Sequence, residues 1–241
     1  MVLIASLKSF DAASNRPALK LVTNWRAIDS MGDCIGARGG IVKSTRSRQA
    51  AVIRPTIQSP SVVDSLLLDA FDAAACEEIV AELRAAHGAA ATVYGKSATG
   101  AVEPAVRKAT RLTASDHTRD RVMARLEELE SAIEGHFNVT LSRIEELQFL
   151  RYVTGDYFVA HQDGNTPLIR DDSRFRKISI VIFLSEPSAY DGGSLLIHGS
   201  YPEKTAVAAP QGTLIAFPSE TTHEVAPLTR GERFTVVSWY R

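Results

Sequence analysis

The chain has 241 residues, 45% apolar and 23% charged, enough for one domain with an extension or two small ones. Its 27 Lys/Arg against 28 Asp/Glu give a net charge of -1, which supplies no general attraction to nucleic acid or to an anionic membrane. No apolar run approaches the ~18 residues of a membrane span, and Cys34 and Cys76, far apart and outside any CxxC, exclude a disulfide scaffold or a structural zinc knot and suit a reducing cytoplasm.

Charge divides the chain. Residues 1–60 carry nine Lys/Arg against three Asp/Glu, whereas 61–241 carry 18 against 25. The first segment is rich in Arg and Ser and has no sustained periodicity, so a poorly structured basic extension is expected over 1–60. From Ser61, SVVDSLLLDAF reads as a strand. Asp72 is placed to cap a helix with Cys76, Ile79, Val80 and Leu83 on one face and Gly88 near its end. Residues 89–104 read as a loop or lid, and VRKATRL (106–112) as a strand. Ser115 or Asp116 caps a second helix, on which Val122, Leu126, Leu129 and Ile133 form a core-facing stripe.

After Asn138 the chain turns β-rich. Strands are expected at 146–153, 156–161, 177–184, 193–198, 204–209, 212–217 and 232–240, punctuated by Gly155, Gly164, the Asp191-Gly192-Gly193 turn, Pro210, Gly212, Pro218 and Gly231. Regularly spaced short strands argue for a sandwich or barrel. With helices preceding them, the fold class is α+β, helices packed on one face of a β-roll. Residues 61–145 would supply helical support and 146–241 the roll.

Three residues in this half form a candidate metal-ligand set. His161 ends the strand-like YFVAH and Asp163 follows two residues on, so imidazole and carboxylate face one point. His223 lies in SETTHEVAPL, after the strand GTLIAFP. Two histidines and one carboxylate form the facial triad of non-haem Fe(II) sites, although an isolated HxD is common by chance. Arg233 follows His223 by ten residues and shares a strand face with Thr235, a fork suited to one carboxylate. Tyr152 stands nine residues before His161, where its phenol could reach the same carboxylate. Singly, these have plainer readings: a surface ion pair for Arg233, a β-former for Thr235, a core aromatic for Tyr152.

The stretches LQFLRYVTGDYFVAHQD, RKISIVIFLSEPSAYDGGSLLIHG and GTLIAFPSETTHEVAPLTRGERFTVVSWY resemble the Fe(II)- and 2-oxoglutarate-dependent dioxygenases of the prolyl 4-hydroxylase-like branch. The last two are similar to the PKHD-type hydroxylases, which share the YDGG and HxVxPxTRGxR patterns. The resemblance is strong over 146–241, softer over 62–145 and absent from 1–60. It implies a double-stranded β-helix, or jelly roll, and an enzyme that hydroxylates an unactivated C–H bond using Fe(II), 2-oxoglutarate and O2, with ascorbate as a possible reductant. Carried over, His161, Asp163 and His223 would hold iron, and Arg233, with Tyr152 and Thr235, the distal carboxylate of 2-oxoglutarate. Arg233 stands where collagen-type members often have Lys, which weakens the case for a collagen-like substrate. The presence of Asp163 argues against a halogenase.

The long 164–177 segment carries Arg170, Arg174 and Arg176 beside the metal-binding strand. The plain reading is a solvated charged loop. The sharper one is a lid whose arginines meet a substrate carboxylate, favouring an amino acid or N-acyl amino acid over a prolyl residue in a protein. A cupin-like Zn or Mn enzyme would explain the triad but leave Arg233 and Tyr152 without a role. A non-catalytic binding domain would not need triad and anchor together. His198 reads as solvated, His87, His117 and His136 as surface residues, and Trp239 as core.

Overall fold

A computed structural model describes residues 64–93, 101–167, 169–200 and 202–241. The expected extension over 1–60 and residues 94–100 of the expected 89–104 loop lie outside the described residues; Ala89 and Ala90, at its start, belong instead to a short strand paired with Arg111 and Thr110. Strand β1 (Leu66–Asp69) leads into α1 (Ala73–Ala85), and Asp72 accepts the Ala75 N–H as N-cap. Short strands β2 (Gly88–Ala90), β3 (Arg107–Lys108) and β4 (Thr110–Leu112) precede α2 (Asp116–Phe137). Of the two caps considered for α2, Ser115 is the one used, accepting from Thr118 N–H. Asn138 closes the helix in the left-handed region at φ 51°.

The remaining strands are β5 (Gln148–Val153), β6 (Tyr157–His161), β7 (Ile178–Phe183), β8 (Tyr190–Gly192), β9 (Leu195–His198), β10 (Lys204–Ala206), β11 (Thr213–Pro218), β12 (His223–Val225) and β13 (Leu228–Tyr240). They form two sheets. The larger runs β1-β11-β7-β13-β5-β4-β2, with β8 paired to β13, and the smaller runs β10-β9-β12-β6-β3. Two facing, largely antiparallel sheets with helices against one of them make the expected jelly roll.

Period-two alternation divides the core. In β7, Ile178, Ile180 and Ile182 join the α1 and α2 residues Ile79, Leu83, Val122, Leu126, Leu129 and Ile133 in one buried cluster. Val181 and Phe183, on the opposite face, pack with Ile197 and Phe217 in another. Strand β13 does the same. Phe234, Val236 and Tyr240 face the helices, and the Tyr240 hydroxyl donates to Leu126 C=O across that layer. Arg233, Thr235, Val237 and Trp239 take the opposite parity, towards the space between the sheets.

Three details depart from the sequence reading. VRKATRL is split: Arg107 pairs with Phe158 in the smaller sheet while Thr110 pairs with Arg151 in the larger, so the chain changes sheets at the buried Ala109. The YDG segment is a strand of its own, and β13 begins at Leu228, not 232, because Leu228 and Arg230 pair with β8 across a bulge. Gly231 permits this at φ +78°, where a Cβ would stand 2.2 Å from Ala189 O. Finally, the 164–177 connection contains a 3-10 turn (Asp172–Phe175) capped by Asp171, and Asn165 N–H donates to Arg174 C=O, so its two ends are tied together.

Candidate metal centre and anion pocket

The triad comes together through strand register. His161 ends β6 and His223 begins β12, and the two are direct cross-strand partners, with ring centroids 4.2 Å apart. Asp163 lies just past β6, where its N–H and that of Gly164 both donate to Ser219 C=O. Its carboxylate then stands 3.5 Å from His161 Nε2 and 3.4 Å from His223 Nε2. One potential ligand atom from each of the three residues falls within 4.8 Å of the others, the single such group found among the described residues.

The surroundings orient each side chain. His161 Nδ1 lies 2.8 Å from Val159 C=O and His223 Nδ1 2.9 Å from Thr221 C=O. Both contacts suit Nδ1–H donors and leave the Nε2 lone pairs free for a cation. Phe158 stacks on His161 with centroids 3.6 Å apart, and Phe217 meets His223 edge-on. Ser179 Oγ donates to Asp163 Oδ2 at 2.8 Å and lies 3.0 Å from Ser219 Oγ. Burial pushes the His223 imidazolium down to about 4, with Asp163 opposing that and His161 adding to it, so His223 is neutral at pH 7. Burial would raise the Asp163 carboxyl, but His223, His161 and the nearby Trp239 indole hold it well below the usual carboxylate range. Two imidazoles and one carboxylate, converging in a half-buried space, fit a divalent metal.

Strand β13 carries a buried cation. Arg233 is 2% exposed, its Nε has no hydrogen-bond partner, and among the described residues no carboxylate pairs with it. Its guanidinium sits 5.5 Å from the Tyr152 ring centroid and 5.3 Å from that of Phe183. Tyr152 is the cross-strand partner of Arg233, and both Tyr152 and Thr235 are buried. A Cβ at Gly193 would meet Leu228 Cδ1 at 2.5 Å and Arg233 Cδ at 3.5 Å, so the Gly-Gly turn leaves room for the arginine stem. A desolvated, unpaired guanidinium calls for an anion, and a carboxylate matches its fork.

The loop arginines are placed differently. Arg170 and Arg174 are exposed; Arg174 donates to Arg170 C=O and stacks on the exposed Phe175. Arg176 is committed to the protein itself, its Nη1 reaching Asp163 C=O at 3.4 Å. It donates twice to Glu145 Oε2, at 3.0 and 2.8 Å, and lies 3.7 Å from the Trp239 ring centroid. Trp239 is indeed buried, yet it packs on the Arg176 guanidinium and lies near the Asp163 carboxylate. Spacing alone does not single out Glu145, Ser179 or Ser219. The available signal for Ser179 is a lone hydroxyl inside the apolar run ISIVIF. His198 lies 3.3 Å from Glu224 on the smaller sheet, outside the triad.

Residues 147–241 match the family model described as the 2OG-Fe(II) oxygenase superfamily. A PKHD-type hydroxylase of Acinetobacter baylyi is 34% identical over 170 residues, covering 66% of this chain and 71% of that protein. A PKHD-type hydroxylase of Burkholderia thailandensis is 41% identical over 93 residues, 38% of this chain and 40% of that protein; the chain thus spans well under half of this second relative. Two solved structures share the fold. A Pseudomonas putida prolyl-4-hydroxylase has TM-score 0.58 at 23% identity, covering 74% of this chain and 92% of that one. A Trichoplax adhaerens prolyl hydroxylase, solved with a hypoxia inducible factor peptide fragment, has TM-score 0.59 at 14% identity, covering 73% and 83%. On its sequence relatives, and with a fold shared with prolyl hydroxylases, the chain belongs to the 2OG-Fe(II) oxygenase superfamily, among the PKHD-type hydroxylases.

Proposed function

We propose that the chain hydroxylates an unactivated C–H bond of a carboxylate-bearing small molecule, an amino acid or N-acyl amino acid. His161, Asp163 and His223 hold Fe(II) in this reading, and Arg233, with Tyr152 and Thr235, receives the distal carboxylate of 2-oxoglutarate. The iron, with 2-oxoglutarate and dioxygen, supplies the oxidising chemistry. The protein's part is to fix three ligands, seat the co-substrate and exclude water. The observation that carries the reading is the buried Arg233 guanidinium, without an anionic partner among the described residues, in a fold that also assembles a ligand set poised for a divalent ion. A cupin-like Zn or Mn enzyme gives that guanidinium nothing to bind. The catalytic unit in this proposal is 61–241, acting in the cytoplasm with no nucleic-acid or membrane partner. Among the described residues no helix is long and apolar enough to cross a membrane.

Arg170 and Arg174 remain exposed cations near the triad-bearing loop and support an acidic substrate; Arg176 supports it less, being paired with Glu145. A prolyl residue in a protein is the competing substrate, because the Trichoplax homologue in fold was solved with a peptide fragment. The test is an anaerobic titration of the Fe(II) protein with 2-oxoglutarate, followed by a substrate screen under air. A visible charge-transfer band, lost in His161→Ala and His223→Ala, supports the chelate. Its absence from the wild type at saturation overturns it. Replacing Arg170 and Arg174 singly by Ala should raise the substrate requirement while uncoupled 2-oxoglutarate turnover stays normal; no change in either variant removes the loop from the argument.

A further inference from the structure

Arg233 is not the one buried guanidinium between the sheets. Arg107, on the edge strand of the smaller sheet, is 8% exposed. Its Nη1 donates to Thr92 C=O at 3.1 Å and its Nη2 reaches Gln148 Oε1 at 3.4 Å. Gln148 belongs to β5 of the larger sheet, shares the parity of Tyr152, and pairs across the strand with Val237. The arginine therefore bridges the two sheets, meeting the larger one on the face that also carries Arg233 and Thr235. The Phe158 ring also lies against it, 4.8 Å from the guanidinium carbon, and Phe158 in turn stacks on His161.

All these partners are neutral. Nε has no hydrogen-bond partner, and among the described residues no carboxylate pairs with Arg107. A guanidinium keeps its charge at any physiological pH. Enclosing it among a carbonyl, an amide and a π face leaves the charge uncompensated. One ring separates it from a candidate metal ligand, on the smaller-sheet side of the pocket, whereas Arg233 stands on the larger sheet. A single distal carboxylate cannot serve both cations if Arg233 takes it.

We propose that Arg107 is the receptor for a second carboxylate in this pocket, carried by the substrate or by the keto-acid end of 2-oxoglutarate. This rests on the oxygenase reading above and deepens it. The first source accounts for a preference for acids, with the carboxylate anchored beside Phe158 and the reacting carbon held towards the triad. The second accounts for a co-substrate clamped at both ends by arginines from opposite sheets.

The test uses full-length protein loaded anaerobically with Fe(II), as wild type, Arg107→Gln and Arg107→Lys. One arm titrates 2-oxoglutarate by its visible band. The other titrates a panel of N-acetyl amino acids and their matched carboxamides into the 2-oxoglutarate complex, read by tryptophan fluorescence. The substrate source predicts that at least one acid binds wild type about 30-fold or more tightly than its amide. Arg107→Gln then removes that preference and leaves the 2-oxoglutarate titration unchanged, while Arg107→Lys retains part of it. The co-substrate source predicts a comparable loss of 2-oxoglutarate affinity in Arg107→Gln. No acid preference in wild type, together with an unaltered 2-oxoglutarate affinity in both variants, overturns the proposal and leaves the oxygenase reading standing. Should Arg107→Gln not fold, the wild-type acid and amide pair and Arg107→Lys decide. A wild type without any 2-oxoglutarate band overturns the parent reading, and this one with it.

Discussion

Arg233 shows how one side chain couples burial to chemistry. Its charge is enclosed by Tyr152 and Phe183 and lacks an anion from the described residues. Arg233→Ala should raise the 2-oxoglutarate requirement by a large factor, since losing one partner of a desolvated pair costs ~2–5 kcal/mol. Arg233→Lys should cost less without being neutral, and Tyr152→Phe about 0.5–1.5 kcal/mol if one hydrogen bond is lost. Steady-state 2-oxoglutarate dependence checks all three. Ser179 acts one step back, through its bond to Asp163 Oδ2. Ser179→Ala should weaken metal binding roughly 10- to 100-fold, measured by competition with a chelator. His223 gives the metal-free protein a pH signature. Unfolded, it protonates near 6.5; folded, near 4. Between these values the unfolded chain binds more protons, so stability falls as pH is lowered through the window, by up to about 3 kcal/mol. Thermal melts of chelator-treated wild type and His223→Gln should show that slope in the first and its loss in the second. At this scale the sequence was informative wherever chemistry followed spacing along one strand: His161 with Asp163, Arg233 with Thr235. The Tyr152–Arg233 contact, the Arg176–Glu145 pair and the Arg107–Gln148 bridge depend on which strands become neighbours, and no local pattern carries that.

Elements were legible where periodicity and caps agreed. Both helices begin at their expected caps because Asp72 and Ser115 offer oxygens to the first free N–H groups. The less legible pieces are short strands whose existence depends on a partner. His223–Val225 pairs with both β6 and β9, and that pairing, not its three residues, makes it a strand. The two helices are joined at their ends by Glu82, whose carboxylate accepts Ser115 N–H at 2.6 Å and Thr118 Oγ1 at 2.5 Å. Burial would raise this carboxyl, but the two donors hold it below its ordinary value. Its stabilising contribution is therefore present above the usual glutamate range and lost as pH falls through the lowered value. Glu82→Gln should cost about 1 kcal/mol, a drop of roughly 2–4 °C in the melting temperature at pH 7. The difference should shrink in acid; an equal drop at pH 4 and pH 7 would argue against the charged form.

In the molecule as a whole, the two faces of the larger sheet do different work. One carries the helix-backed cluster and the other the candidate site, so damage to the first should leave the second's chemistry intact while the protein remains folded. Leu126, fully buried in the helix layer, tests this. Leu126→Ala should destabilise by about 2–5 kcal/mol yet leave metal affinity unchanged at a temperature well below its melt. The basic first 60 residues, which lack periodicity, enter here too. A chain of 61–241 should keep a cooperative thermal transition and its 2-oxoglutarate turnover; a collapsed transition would assign that segment a role in the fold.

Strand β13 serves both faces through alternate residues, with Arg233, Thr235, Val237 and Trp239 on one side and Phe234, Val236 and Tyr240 on the other. Losing or gaining one residue within it would send the anion receptor into the helix layer and phenylalanine into the pocket in the same event. Where no bulge absorbs the change, as one does between Leu228 and Arg230, such a lesion has no partial form for selection to refine. Length variation among descendants is therefore confined to the connections around the roll, and a new substrate preference must arise there or by point replacement, never by sliding this strand.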